Sequence, residues 1–436
     1  MKYSIVTFGC RVNQADSLRL EEDLCARGGV AATTVDADVV VVNTCSVTAS
    51  ADQGARQTIR RIARDNPASR IIVTGCYATR CESDIAALPN VVRVVRNNEK
   101  DRLVDALPER FVSGDGPCGA GIEPGLAGRT AFTLRVQTGC DEQCAYCIIP
   151  STRGPGRSVP IQGVVREVTR IAAAGFREIV LTGVHLGSYG RDLVPPSGLV
   201  DLLQALAVIG GDVVFRISSL EPMDCTPEII ELIVSSEGRF APHFHLPLQH
   251  ASDRMLTAMK RPYTLEYYRT LVDSIRERLP HASIGSDMIA GFPGETDRDF
   301  RANLDYLPHS ALTHLHVFPY SERPGTAASA MSGKVDGVVT RERGLELRAI
   351  GAGLTRRFTG SQCGTIRPGL TLEDGTLVVT DNYLKVRIPA GLPRNQRVSV
   401  RLSEVGSMLV GELQGAPIII ARRFPGDAVL GDSVMS

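Results

Sequence analysis

The sequence predicts an α/β protein in three parts: an N-terminal open α/β sheet domain, a central partial (β/α)6 barrel, and a small antiparallel β-barrel at the C-terminal end. Three observations carry that expectation. Apolar runs at Tyr3–Phe8, Asp38–Asn43 and Arg70–Gly75 read as buried parallel strands, each leading into a cysteine. From about residue 130 to 360 a strand-then-helix rhythm recurs six times. After Arg357 the helical text gives way to alternating stretches, LTLEDGTLVVTDNYLKVRI and RVSVRLSEV, that read as a small all-β module.

At 436 residues the chain exceeds what one core organises. The expected division is 1–113 for the N-terminal domain, 114–129 for a linker, 130–360 for the barrel, 362–423 for the β module and 424–436 for a tail. The linker, Gly114–Arg129, holds six glycines and two prolines and few large apolar side chains. Basic and acidic residues balance at 48 each, so no global polycation announces nucleic-acid binding, and any such site must be local. No signal segment or membrane span is evident, which places the chain in the cytoplasm, with no membrane partner. Eleven cysteines in a reducing compartment favour metal ligation or redox chemistry over a disulfide framework.

In the first part, Cys10, Cys45 and Cys76 each follow an apolar run. Ligands bind outside the carboxyl ends of strands in an open α/β sheet, so successive strands can gather these three thiols despite their separation in sequence. Cys81 lies near enough to be considered as a substitute. Cys25, Cys118, Cys225 and Cys363 lack such placement and read as structural.

In the second part the candidate strands are Phe132–Val136, Glu178–Thr182, Phe215–Ser219, Phe244–Leu248, Ile284–Ala290 and His314–Phe318. Polar or special residues gather at their carboxyl ends, the rim where barrel folds carry chemistry. The first strand leads into QTGCDEQCAYCIIP, with Cys140, Cys144 and Cys147 spaced CxxxCxxC. A structural zinc site requires four closed ligands, and no second pair lies nearby. A 4Fe-4S cluster held by three thiolates leaves one iron open, which gives an incomplete set a use.

CxxxCxxC with Tyr146 before its last cysteine resembles the signature of the radical S-adenosylmethionine (SAM) enzymes, whose open iron chelates SAM. GCRVNQADS (Gly9–Ser17), NTCSVT (Asn43–Thr48), GCYA (Gly75–Ala78), LTGVHLGSYGRD (Leu181–Asp192), HLPLQHASDRMLTAMKRPYT (His245–Thr264) and DMIAGFPGET (Asp287–Thr296) narrow the resemblance to the methylthiotransferases. The group acting on tRNA threonylcarbamoyladenosine is the most similar. The resemblance implies an auxiliary 4Fe-4S cluster on Cys10, Cys45 and Cys76, and a C-terminal TRAM-like module that helps bind tRNA. It implies replacement of C–H by C–S–CH3 using two SAM molecules, one as methyl donor and one as radical source. The implied product is the 2-methylthio derivative of the modified adenosine beside the anticodon. An electron donor such as flavodoxin or ferredoxin and a sulfur source are implied partners. The same chemistry on isopentenyladenosine of tRNA, or on an aspartate of a ribosomal protein, is an alternative, as is a non-enzymatic iron-sulfur RNA-binding protein.

SAM or site-lining roles are expected for Tyr146, Gly183, Ser219, Glu221, Gln249, His250, Gly291, Gly294 and Glu295. The glycines of GFPGE would let backbone approach SAM closely. Asn13, Gln14 and Thr44 flank the auxiliary cysteines and are expected to contact cluster sulfur or substrate. Phosphate contacts are expected from Arg56, Arg60 and Arg64 on one helix face, from Arg153 and Arg157 after the cluster loop, and from Arg394, Arg397 and Arg401 in the β module. The acidic run Asp141–Glu142 beside a cluster that must bind a carboxylate calls for an explanation.

Overall fold

The structure, a computed structural model, describes residues 1–46, 48–106, 124, 130–406 and 408–415. Apart from Pro124, the expected linker lies outside the described residues, as does the expected tail.

The N-terminal sheet is built from β1 (Lys2–Thr7), β2 (Val30–Ala31), β3 (Val39–Thr44), β4 (Arg70–Gly75) and β5 (Val91–Val95). All pairs are parallel, in the order β2-β1-β3-β4-β5. β3 is buried on both faces, which is why its sequence is an unbroken apolar run. Val40 and Val42 pack with Ile59 and Ile62 of helix Ala49–Asp65, while Val39 and Val41 pack with Leu20 and Leu24 of helix Arg11–Ala26. The chain changes direction across the sheet between β1 and β3, so the crevice at the carboxyl ends of those two strands is the ligand position such sheets provide.

The central part contains β6 (Phe132–Arg135), the two-residue β7 (Gln137–Thr138) and β8 (Arg157–Ser158), β9 (Glu178–Thr182), β10 (Val214–Ile217), β11 (His243–His245), β12 (Ser283–Ala290) and β13 (His314–Pro319). Sheets β10-β9-β6 and β11-β12-β13 are each parallel, and a Phe215–Phe240 bridge joins them into the six-stranded open barrel. β7 and β8 pair antiparallel at the two ends of the loop that carries Cys140, Cys144 and Cys147. One apolar cluster, including Leu181, Phe215, Leu246, Ile284 and Met288, fills the space between strands and surrounding helices.

Helix Gly337–Gln362 crosses back over β13 and delivers the chain to the last domain. There β14 (Ile366–Leu372), β15 (Leu377–Thr380), β16 (Lys385–Arg387), β17 (Arg397–Val405) and β18 (Met408–Leu413) close into a barrel. Alternating Val398, Val400 and Leu402 face Val378 and Val386 inside it. Its pairs are antiparallel except β16 with β18, which run parallel. Among the described residues, no helix is long and apolar enough to cross a membrane.

Candidate functional site

Cys10 caps helix Arg11–Ala26 after β1, Cys45 follows β3, and Cys76 opens the short helix Cys76–Arg80 after β4. Cys10 is exposed, whereas Cys45 and Cys76 are buried. Gly9 turns with φ +91°, and a Cβ there would stand 2.3 Å from the Cys45 sulfur, so only glycine lets the first loop close on the second. Asn13 Nδ2 donates to the carbonyls of Phe8 (2.9 Å) and Thr44 (2.8 Å). Thr44 Oγ1 donates to Thr74 O and accepts from the Ala78 N–H. Asn13 and Thr44 therefore stitch the three cysteine loops together through their backbone contacts.

Cations converge on these thiols. Arg153 is 4 % exposed and bonds Asn13 Oδ1 and Asp16. Burial works against its charge, but the neighbouring Cys76, Asp16 and Cys10 outweigh that and raise its pKa. Asp16 also accepts from Lys100 and Arg135, and these cations together overcome burial and hold its carboxyl well below the usual range. Arg323, also buried, lies beside Cys45 and pairs with Asp52. Arg153 Nε, Arg323 Nε and Arg323 Nη2 are buried without a partner in the protein. Unpaired buried donors around three thiols fit an anionic cluster whose sulfides accept hydrogen bonds. Arg153 is thus no surface phosphate ligand: it carries the loop of one cysteine set to the thiols of the other.

The second set sits beyond β6. Gln137 organises it, donating to Gly139 O (2.9 Å) and accepting from the Val184 and His185 N–H groups. Cys140, Cys144 and Cys147 line a cavity of about 400 Å³ with Lys260 and Thr326. Arg261 lies 3.0 Å from the Cys144 sulfur and pairs with Glu221. Burial pushes the Cys140 thiol up to about 11 and the Cys147 thiol up to about 12, so metal loading here releases protons. Asp141 accepts from the Gly156 N–H (3.1 Å), and Glu142 lies 4.0 Å from His185 and Arg191. The acidic run fastens the loop.

Other expected residues divide. Tyr146 packs with Met255, Met259 and Phe292 behind the cysteine loop, its hydroxyl 3.5 Å from Arg261. Gly183 and Ser219 line a separate cavity of about 530 Å³ inside the barrel. Gln249 holds its backbone against β12 with φ +72°. His250 and Glu295 do not line a site: their side chains are fully buried and bonded to each other, with Asn303 on His250 and the Gly291 N–H and Arg343 on Glu295. Gly291 is glycine because a Cβ would strike Thr340, 2.2 Å away; Gly294 turns with φ +82° in open space.

Among the arginines, Arg60, Arg64, Arg157 and Arg401 are exposed. Arg56 stacks on Tyr77 and bonds its hydroxyl. Arg394 donates to Glu373 O. Arg397 is corrected from a phosphate contact to a domain clamp, since it pairs with Asp212 of the central barrel at 2.6 Å.

The barrel cavity was not visible in sequence. Its walls hold Cys10, Ser219, His245, Asp287 and His316, and its floor is Tyr383 from the C-terminal barrel. Tyr383, with φ +70°, rests on His243 and Arg216, and its hydroxyl accepts from Arg11 beside Cys10.

Comparison with known proteins agrees with this geometry. Residues 134–307 match the Radical SAM superfamily, and residues 2–96 match the Uncharacterized protein family UPF0004. The chain is 36% identical over 399 residues to the Aquifex aeolicus threonylcarbamoyladenosine tRNA methylthiotransferase MtaB, covering 89% of this chain and 96% of that protein. The chain belongs to the radical SAM methylthiotransferases. It is also 34% identical over 432 residues to a tRNA-2-methylthio-N(6)-dimethylallyladenosine synthase of Sphingopyxis alaskensis, covering 94% of this chain and 96% of that one. A radical SAM methyltransferase from Kitasatospora setae, TsrM, shares the fold with TM-score 0.54 at 16% identity, covering 75% of this chain and 77% of that one. As a member of this family the chain is an enzyme that uses SAM and a 4Fe-4S cluster, which sets aside the non-enzymatic reading.

Proposed function

We propose that the enzyme converts N6-threonylcarbamoyladenosine beside the tRNA anticodon to its 2-methylthio derivative, with two 4Fe-4S clusters held by the two cysteine triads. The observation that supports this reading is the adjacency of the two triads: Arg153, in the short helix after the loop of Cys140, Cys144 and Cys147, reaches Asn13 and Asp16 beside the first triad. Cys10 and Gly183 line the same barrel cavity, and Gln137 ties Gly183's neighbours to the loop of Cys140, Cys144 and Cys147. When bound, the cluster on that loop supplies an electron to SAM at an open iron, and the cluster on Cys10, Cys45 and Cys76 supplies a place for the sulfur.

The chain's own groups prepare both positions. Arg261 places positive charge against Cys144 and holds Glu221 nearby. Arg153 and Arg323 offer donors to the auxiliary set. Residues 1–113 and 130–360 would provide these two halves, and 362–423 the RNA-binding module. Exposed Arg60, Arg64, Arg157 and Arg401 suit phosphate contacts to a folded RNA recognised by shape. The threonylcarbamoyl substrate is supported by the Aquifex aeolicus relative's name. The dimethylallyl-named relative makes isopentenyladenosine the second reading. A cytoplasmic setting, an external electron donor and a sulfur source complete the proposal.

Anaerobic reconstitution tests the cluster count. About eight irons per chain are expected, falling to about four when either triad is changed to alanine. SAM cleavage should vanish only with Cys140, Cys144 and Cys147. Mass spectrometry of tRNA nucleosides from cells lacking the gene should show loss of 2-methylthio-threonylcarbamoyladenosine; unchanged levels overturn the substrate.

A further inference from the structure

Four polar side chains of the barrel cavity, one on or just after each of β10, β11, β12 and β13, form a continuous chain. Ser219 Oγ, after β10, lies 2.8 Å from His245 Nδ1 on β11. His245 Nε2 lies 3.0 Å from Asp287 Oδ1 on β12, and His316 Nδ1 on β13 lies 3.2 Å from the same oxygen. His245 thus has both ring nitrogens engaged, whereas His316 meets Asp287 through Nδ1 and remains half exposed to the chamber. Nothing in the cysteine sites uses this chain.

The chamber wall is more apolar than polar, so its few charged groups decide where a guest's charge can sit. Asp287 is the one carboxylate among its described lining residues, and it is committed to two imidazoles. Against it stand Arg11 and the imidazoles of His245 and His316, while burial lowers the pKa of His243 and His314 and keeps their rings neutral. Two lining atoms, Ser218 Oγ and His243 Nδ1, are buried without any partner in the protein. Neither atom is open to the chamber, so a guest meets the exposed groups of its wall, His316 among them. A ureido group ending in a carboxylate can pair with the exposed His316, whereas an isopentenyl substituent offers it no acceptor.

We infer that His316, backed by Asp287, binds the carboxylate of the substrate's N6 substituent and so sets the enzyme's preference for threonylcarbamoyl over neutral N6 groups. The inference rests on the proposed substrate and names the residue that reads it. His316 meets Asp287 through Nδ1 and turns Nε2 toward the substrate carboxylate. No covalent step is involved; His316 is a specificity-determining residue.

The test uses the reconstituted full-length enzyme and three anticodon stem-loop RNAs carrying threonylcarbamoyladenosine, its carboxamide, or isopentenyladenosine. Loss of a charge-assisted hydrogen bond predicts a preference of about tenfold or more in kcat/KM for carboxylate over carboxamide in the wild type. His316→Phe should bring that ratio near one, chiefly through KM, and His316→Arg should restore part of it. His316 is 54 % exposed in its side chain, so both variants are expected to fold. A wild type indifferent to the carboxylate, or a His316→Phe variant that keeps the ratio, overturns the inference while leaving the proposed function standing. A wild type inactive on the threonylcarbamoyl RNA overturns the function itself. His245, Asp287 and His316 also converge within 4.8 Å, so one divalent metal per chain beyond cluster iron, lost in His316→Phe, would overturn the inference in favour of a cation site.

Discussion

Asp16→Asn is the most informative single perturbation outside the cysteines. Asp16 is 1 % exposed and faces Lys100 (3 %), Arg153 (3 %) and Arg135 (15 %), so its charge is surrounded by cations with almost no water. Asparagine keeps the shape and removes the charge. Two nearly buried cations are then uncompensated, a situation that costs about 3–5 kcal/mol. Burial already lowers the Lys100 pKa in the wild type, and Asp16 opposes that. Without Asp16 the ammonium sheds its proton more readily, so part of the lost stability should return as pH rises from 7 to 9. Anaerobic urea unfolding of the full chain at both pH values measures this. Arg153 also loses its anchor beside Cys76 and Cys10, so reconstituted iron should fall from about eight toward about four per chain while SAM cleavage persists. A loss below about 1 kcal/mol with full iron content would refute the view that this charge cluster joins the two thiol sets.

Other outcomes follow from the same geometry. Gly9→Ala should abolish loading of the auxiliary triad and spare the other, read by iron content and electron paramagnetic resonance, because the new Cβ occupies the space of the Cys45 sulfur. Arg261→Gln removes a cation 3.0 Å from the Cys144 sulfur and leaves Glu221 unpaired. Reduction adds negative charge, so the midpoint potential of that cluster should move negative by roughly 50 mV, measured by redox titration. Burial, reinforced by His316 and His245, holds His314 down at about 4, against 6.5 in an unfolded chain. Below pH 6.5 the unfolded state takes up a proton that the folded state refuses until about pH 4. Stability should therefore fall across that window, by at most about 3 kcal/mol, and His314→Asn should flatten the fall in pH-dependent unfolding.

Much of the architecture was legible because its signals are local. Runs such as DVVVVN announce strands buried on both faces, and the CxxxCxxC spacing lies within eight residues. The two-residue β2 and the edge strand β5, with Val92 and Arg93 exposed, carry weaker patterns and were not anticipated. Arg153 misled because its neighbours, STRGPGRS, read as an exposed loop, whereas its partners Asn13 and Asp16 lie more than 130 residues away. His250 and Glu295 misled for the converse reason: residues in conspicuous motifs are spent holding the loop at Gly291. Ser219 was expected to line the site, but its link through His245 and Asp287 to His316 had no signal, since it exists only once four strands align them. Alternation announced the C-terminal strands and the small barrel they form, but not the clamp formed by Arg397.

Tyr383 changes what the C-terminal barrel is for. A C-terminal module that stood apart would be a detachable handle, yet its half-exposed tyrosine lines the barrel cavity and bonds the arginine next to Cys10. Handle and cavity therefore share a wall. A load that shifts the C-terminal barrel also shifts that wall, so movement of the module and the shape of the cavity become one mechanical event.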